Sequence, residues 1–595
     1  MNANFDDKRN QIIGKTNVNE TSTRETTLNT KDFEKLKDPK GVYGINTAFI
    51  PEMQTCTWVS KITLEKPPIW CSVDLRDGNQ ALRNPMTLEK KLKFWEMLVS
   101  LGFKEIEIGF PAASTIEYDF TRILIEENLI PDDVVIQVLS QSREEQIEKT
   151  VMSLKGAKNA IVHLYNSTSE LQRRVVFKKT QDEIIDIILK GVSKLSKLKN
   201  ETDTNITLEY SPESFTGTEP DFALRICDAV IEASGASKDN KMIINLPATV
   251  EMTPPHIYAN QIEYFSNNVC NRDAIILSIH PHNDMGMAIA ATQLGLFAGA
   301  DRVEGTLFGN GERSGNADIL VIALNLYTQG MDPKLNLSNV DKVKEIYEEC
   351  TGLEVHARHP YAGKEIFTAY SGSHQDAIRK SLDAMKNNED DKKWPVPYIP
   401  INPADIGRKE GINFVVVNSQ SGKGGVTYIV RENFGLEIPK EMQGEFANVV
   451  QKFCEGKNKA ITNDELKDLF YKMYFKNKPS FNFSLDSLKY IDDKNMEISF
   501  KLEHKGRTYE IIKQGSNEVA ALKNALKDIV DFNVEIINQH GFKDKDGEYK
   551  IASYAKITYP DTKKIVYGIG IEANRNRANI YAIFSALNND LVDNS

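Results

Sequence analysis

The sequence predicts an α/β protein: a (β/α)8 TIM barrel, then a helical linker subdomain, then a C-terminal α+β domain built as a pseudo-repeat. Three features carry that prediction. Short apolar runs alternate with longer amphipathic ones eight times between Ile69 and Gly305, the pattern of repeated strand-helix units. Polar side chains suited to chemistry recur just past the ends of those runs, where such a barrel builds its site. The last ~110 residues carry a weak internal repeat.

At 595 residues the chain is too long for one core, and ~100–200 residues per domain gives three or four units. The expected division is a disordered leader at 1–40, the barrel at 41–330, helical and linker subdomains at 331–478, and the C-terminal domain at 479–595. Hydrophobic residues make up 41% and charged residues 26%, as in ordinary soluble globular chains. A net charge of -11 argues against nucleic acid, which needs a concentrated basic surface. Small ligands are expected instead. Cys56, Cys71, Cys227, Cys270, Cys350 and Cys454 form no Cys-x-x-Cys pair, so neither a zinc knuckle nor a disulfide framework is indicated and a reducing compartment fits. No apolar run approaches the ~18 residues of a membrane span, and Met1 to Lys40 lacks the apolar segment of a secretory signal. The expectation is a cytoplasmic protein with no membrane partner.

The elements follow in order. Strand one is Ile69 to Asp74, closed by Arg76 and Asp77; strand two is Lys104 to Gly109; strand three is Val134 to Leu139. Strand four, Asn159 to Tyr165, carries His163, and strand five, Asn205 to Tyr210, leads to Ser211 and Glu213. Strand six, Met242 to Leu246, leads to Thr249; strand seven, Ala274 to His280, leads to His282; strand eight is Arg302 to Gly305. Helical patterns fill the gaps, as from Thr87 to Val99, where apolar residues recur at three and four. Glycines at 309, 311 and 315 form a loop before the apolar helix Ala317 to Leu326; its N–H groups could hold an anion, and tight turns alone would also use these glycines. From Asp332 the pattern is helical and includes His374. A charged run, Asn387 to Lys393, precedes four prolines between Pro395 and Pro403, which mark an extended connector. The repeat pairs Met496 to Phe500, Thr508 to Ile512 and helix Glu518 to Val530 with Tyr549 to Tyr559, Lys563 to Ile569 and helix Arg575 to Leu587. Two such halves suit a small-molecule sensor or a dimerisation module.

His280-Pro281-His282 is the most informative motif. Alternate residues of a strand project to one side, so both imidazoles would aim at one point, and one metal ion could accept them both. Asp77, at the end of strand one, is the obvious oxygen donor. Two nearby histidines are often only a hydrogen-bonded core pair. Here they sit at a strand end, beside other strands ending in Arg, Glu and a third His, which turn composition does not explain.

Together these stretches resemble the 2-isopropylmalate synthase family in its long form, within the wider group of barrel metalloenzymes that make or break carbon-carbon bonds next to carboxylates. The motifs are Trp70 to Leu82, Val162 to Thr168, Glu209 to Glu219, Asn245 to Glu251, His280 to Gly286 and Gly305 to Asn316, and coverage runs from about Gly41 to the C-terminus. The resemblance implies a condensation of acetyl-CoA with 3-methyl-2-oxobutanoate. It implies a divalent ion (Mg2+, Mn2+ or Zn2+) on Asp77, His280 and His282 with Asn316 as a possible fourth ligand, and Arg76 beside the developing alkoxide. His163, Ser211 and Thr249 would fix the keto acid, and Glu213, His374 and Tyr398 are the groups carried over for proton transfer. In relatives the segment bearing His374 and Tyr398 reaches across a dimer, so a homodimer is implied.

One departure stands out. The family enters the first helix of its C-terminal domain through a Gly-x-Gly-Asn-Gly-Pro turn that helps form a leucine pocket. Here the stretch is Lys513-Gln-Gly515-Ser-Asn517-Glu518; with two glycines and the proline missing, leucine feedback is expected to be weakened or altered, with Gly515 and Asn517 the regulatory positions. Competing readings are citramalate synthase, using pyruvate, and homocitrate synthase, using 2-oxoglutarate, which should show more basic residues than Arg76 at the strand ends. Related lyases carry a cysteine in the loop after strand eight, and Gly305 to Asn316 has none. A barrel metal hydrolase would usually place its His pair on strand one. A non-catalytic amino-acid sensor is the remaining alternative.

Overall fold

The computed structural model describes residues 56–386, 394–408, 416–418, 423–475, 479–544 and 547–589. The expected leader at 1–40 and the charged run at 387–393 lie outside them. Eight parallel strands close into a barrel: β1 (Ile69–Ser72), β2 (Glu105–Gly109), β3 (Val135–Gln141), β4 (Asn159–Ser167), β5 (Asn205–Glu213), β6 (Met242–Ala248), β7 (Ile275–Pro281) and β8 (Arg302–Gly305), with β8 pairing back onto β1. All eight expected strands are present, their ends shifted by no more than three residues.

The outer helices form for local reasons. In Leu88–Leu101 the Thr87 side chain accepts from Lys90 N, and Gly102 ends the helix at φ 93, a left-handed position that glycine occupies without strain. Its inner stripe of Phe94, Trp95, Leu98 and Leu101 is buried, each such side chain stabilising by about 1.5–3 kcal/mol.

The strands separate two environments. Ile106, Ile108, Ile136, Val138, Val162 and Leu164 are fully buried in the apolar core. The alternate positions Glu107, Gln137, His163, Glu209, Ser278, Arg302 and Glu304 are also buried; all but Glu209 hydrogen-bond within this set, while Glu209 faces Arg302 at 3.4 Å as an ion pair. Gln137 Nε2 of β3 donates to Glu304 Oε1 of β8 at 2.9 Å, although those strands are not neighbours. The interior is therefore a polar network beneath the site, which the apolar runs did not reveal.

After the barrel come helices Val340–Thr351, Gly372–Lys386, Lys423–Phe434, Lys440–Lys457 and Asn463–Tyr474. The proline-rich connector, expected to be extended, instead turns at Tyr398 (φ 67) and enters a 3-10 helix at Pro403–Ile406, and it is docked: Val396, Ile399 and Ile401 are buried in the same apolar cluster as the barrel. The C-terminal repeat has one more strand per half than expected. β9 (Phe481–Asp492), β10 (Asn495–His504) and β11 (Arg507–Gly515) pack with helix Glu518–Leu526, and β12 (Asn533–Lys543), β13 (Tyr549–Thr558) and β14 (Ile565–Glu572) with helix Arg575–Asn589. Register shifts between Ser499 and Phe500 and between Ile536 and Asn538 mark bulges that break the two-residue alternation of the first strand in each half. The helix at 518 ends four residues before Val530. Among the described residues no helix is long and apolar enough to cross a membrane.

Candidate active site

A pocket of about 170 Å³ opens at the C-terminal rim of the barrel, lined among others by Arg76, Asp77, His163, Ser211, Glu213, Thr249, His280 and His282. Eight sequence-predicted residues thus meet in one place. Asp77 and Arg76 lie in a wide helical turn, Asp74–Gly78, directly after β1; His280 is on β7 and His282 just beyond it.

Asp77, His280 and His282 are buried, and their ligand atoms all lie within 4.8 Å of one another. His280 Nε2 is 3.7 Å and His282 Nε2 is 4.0 Å from Asp77 Oδ2. One ion with bonds of about 2.0–2.2 Å can span donors so placed. Asn316 completes the ring: its Nδ2 donates to Asp77 Oδ2 at 2.6 Å and its Oδ1 is 2.9 Å from His280 Nε2. His282 Nδ1 is buried without a hydrogen-bond partner. The donor set fits a divalent ion, with Asp77 held as a carboxylate and His282 as a neutral imidazole, while His280 would give up its proton on binding. Burial opposes ionisation of Asp77, yet Arg76 and the two imidazoles hold its carboxyl well below the usual range. Burial likewise disfavours a charged His280, but its bonds to Asp77 and Glu304 push it up to about 10. Burial, then the charge on His280, pushes His282 down to about 4.

His163, Glu209 and Glu304 also converge closely enough to hold a metal. We assign no ion there, because a guanidinium already occupies the cation's place: Arg302 lies 3.0 Å from Glu304 and 3.4 Å from Glu209. Burial pushes the Glu209 carboxyl well up against the pull of Arg302.

Arg76 is aimed by two carboxylates, donating from Nε to Glu107 at 2.5 Å and from Nη1 to Asp77 at 2.6 Å. His163 bridges Glu107 Oε1 at 3.0 Å and Ser211 Oγ at 2.7 Å. Thr249 Oγ1 accepts from Ser214 N at 2.9 Å, and the Ser167 hydroxyl donates to Glu213. His374 and Tyr398 behave differently. They stack on each other at 3.8 Å between ring centroids, both exposed, and neither lines this pocket. Gly515 and Asn517 lie in the C-terminal domain, at the end of β11 and at the N-cap of helix Glu518–Leu526.

Sequence reasoning missed Glu107, Gln137, Glu304 and Arg302, which position the predicted residues. A signal existed: Ile106-Glu107-Ile108 and Val303-Glu304-Gly305 each set one acid inside a buried strand, an arrangement that needs a partner.

The fold and site define a (β/α)8 barrel enzyme whose strand ends carry a candidate divalent-metal centre beside an arginine and a glutamate. Residues 67–346 match the HMGL-like family, 364–431 the alpha-isopropylmalate synthase post-catalytic domain-like family, and 460–591 the LeuA allosteric (dimerisation) domain. The chain is 49% identical over 540 residues to the 2-isopropylmalate synthase of Clostridium acetobutylicum, covering 89% of this chain and 96% of that one. To the 2-isopropylmalate synthase of Acetoanaerobium sticklandii it is 48% identical over 537 residues, covering 89% and 94%. The chain belongs to the 2-isopropylmalate synthase family, acyltransferases of leucine biosynthesis.

Proposed function

We propose that this chain condenses acetyl-CoA with 3-methyl-2-oxobutanoate and water to give 2-isopropylmalate and CoA, the first committed step of leucine synthesis, as a cytoplasmic homodimer. The observation that carries the reading is the convergence of Asp77, His280, His282 and Asn316 beside Arg76 and Glu213 in one pocket. Asp77, His280, His282 and Asn316 would hold Mg2+, Mn2+ or Zn2+, which supplies Lewis-acid polarisation of the keto oxygen.

The protein's own groups account for the rest. His163, Ser211 and Thr249 orient the keto acid, with Leu139, Tyr165 and Pro247 as neighbouring wall. Among the described residues lining the pocket, Arg313 is the arginine or lysine besides Arg76, and it is engaged with Asp284 at 2.7 Å, which disfavours a second substrate carboxylate and hence 2-oxoglutarate. Glu213 takes a proton from the acetyl methyl; the methyl carbon then bonds to the keto carbon. Arg76 stabilises the negative charge that passes to the keto oxygen, and water cleaves the thioester to release CoA. His374 and Tyr398 serve the partner's site in the dimer, where they add to proton transfer.

CoA thiol release should be measured with acetyl-CoA and, separately, 3-methyl-2-oxobutanoate, pyruvate, 2-oxoglutarate and glyoxylate, each with and without a chelator. Release strongest with 3-methyl-2-oxobutanoate and abolished by chelation is expected. Preference for pyruvate would move the chain to citramalate synthesis; no release with any acid would overturn the enzymatic reading in favour of a sensor.

A further inference from the structure

We propose that His359 is a positioning residue for the loop that presents Asn316, so that the metal centre depends on a side chain from outside the barrel; the inference rests on the metal-site reading above. His359 lies between helices Val340–Thr351 and Gly372–Lys386. Its Nε2 stands 2.6 Å from Asp318 Oδ2 and its Nδ1 2.8 Å from the Pro360 carbonyl oxygen. Acceptors at both nitrogens fix the plane of the ring. Asp318 uses its other oxygen, Oδ1, to accept from Val321 N at 3.2 Å, capping helix Ile319–Thr328. It follows Asn316 by two residues, and its backbone pairs with Thr306 at the opposite end of the loop. His359 therefore grips the point where the loop closes.

A second contact acts on the other shoulder of the same loop. Phe308 has φ 58, a left-handed conformation that bulky residues rarely adopt. Such a residue persists only where its surroundings over-determine it. Its ring sits 4.6 Å from that of Tyr347 and 5.4 Å from that of His359, both outside the barrel. The turn presenting His359 is itself tightly built: a Cβ on Gly363 would fall 2.4 Å from Ala357 O, and Arg408 Nη1 donates to Tyr361 O at 2.9 Å. Tyr361, two residues beyond His359, donates from its hydroxyl to Asn325 Oδ1 at 2.7 Å. Loop, capped helix and post-barrel turn thus form one connected arrangement, with His359 at its centre.

The test uses the full chain, wild type, His359→Leu and His359→Gln. Mn2+ affinity is measured by competition with a fluorescent chelator, and the unfolding temperature is measured in excess chelator. The leucine variant should bind Mn2+ about tenfold more weakly, the low end of the loss when a group bonded to a metal ligand is removed, since His359 acts on Asn316 through Asp318 and the loop, with the unfolding temperature of the wild type. Glutamine, whose amide N–H can still reach Asp318, should recover most of the affinity. Unchanged affinity in the leucine variant, equal losses in both variants, or a loss that tracks a lowered unfolding temperature would each overturn the proposal. Failure of the wild type to bind Mn2+ would instead remove the metal-site reading beneath it.

Discussion

His280 Nδ1 lies 2.8 Å from Glu304 Oε2, and this bond decides that Nε2, not Nδ1, faces Asp77. Glu304 is in turn held by three further donors: Gln137 Nε2 at 2.9 Å, Arg302 Nη1 at 3.0 Å and Asn245 Nδ2 at 3.0 Å. All four neighbours donate, so the site needs a carboxylate, with two oxygens and no hydrogen. The barrel interior is thus a scaffold that aims the rim.

Replacing Glu304 by Gln should therefore be costly although the shapes match. Whichever way the amide turns, its NH2 group meets donors, and unsatisfied buried groups cost about 1–3 kcal/mol each. Metal affinity should fall by about tenfold or more as His280 loses its orientation. Chemical denaturation and Mn2+ titration of Glu304→Gln check this; wild-type values in both would contradict it.

Arg76 tests the electrostatic role. Its fork reaches Glu107 and Asp77 together, which the point charge of lysine cannot do. Arg76→Lys should lower kcat by about 10²–10³, the usual loss when one group stabilising a developing oxyanion is removed, with a smaller change in KM for the keto acid. Steady-state kinetics decide it, and a kcat within tenfold of the wild type would count against Arg76 as that group.

How much of this was legible in sequence depends on which face a residue occupies. The strands were readable because their helix-facing residues, such as Ile106, Ile108, Val162 and Leu164, form apolar runs. The rim residues were readable because they follow those runs. Glu107, Glu209 and Glu304 were not, because an acid inside an apolar strand looks like a flaw until the strands close and bring Arg76, His163 and Arg302 to it. His374 and Tyr398 show the opposite limit: sequence resemblance singles them out, while within one chain they meet each other and not the pocket.

Asp74 predicts a pH effect on stability. Burial pushes its carboxyl up to about 7, despite the bonds it accepts from Ser72 Oγ at 2.8 Å and Leu307 N at 3.0 Å. The unfolded value is about 3.9. A carboxyl raised in the fold contributes stability that is fully present below the unfolded value and is lost as pH rises through about 7. Wild type minus Asp74→Asn should therefore fall, on the order of 1–3 kcal/mol, between pH 5 and pH 8, as read by urea denaturation at several pH values. A flat difference would mean the carboxyl stays ionised across that range.

Leucine feedback is the last case. A Cβ on Gly515 would lie 2.3 Å from Ala521 N, so this glycine serves the close approach of strand to helix. Asn517 Oδ1 accepts from Ala520 N at 2.8 Å, so its side chain serves as the cap. Glu518 Oε1, where the resembling family has proline, accepts from Asn579 Nδ2 at 2.7 Å and ties the two halves together. The stretch is thus occupied by its own side chains, where the glycines and proline implied by the resemblance would leave the backbone open. Thiol release titrated with leucine should show inhibition only at millimolar levels or none; half-inhibition at micromolar leucine would mean that these side chains leave the effector pocket intact.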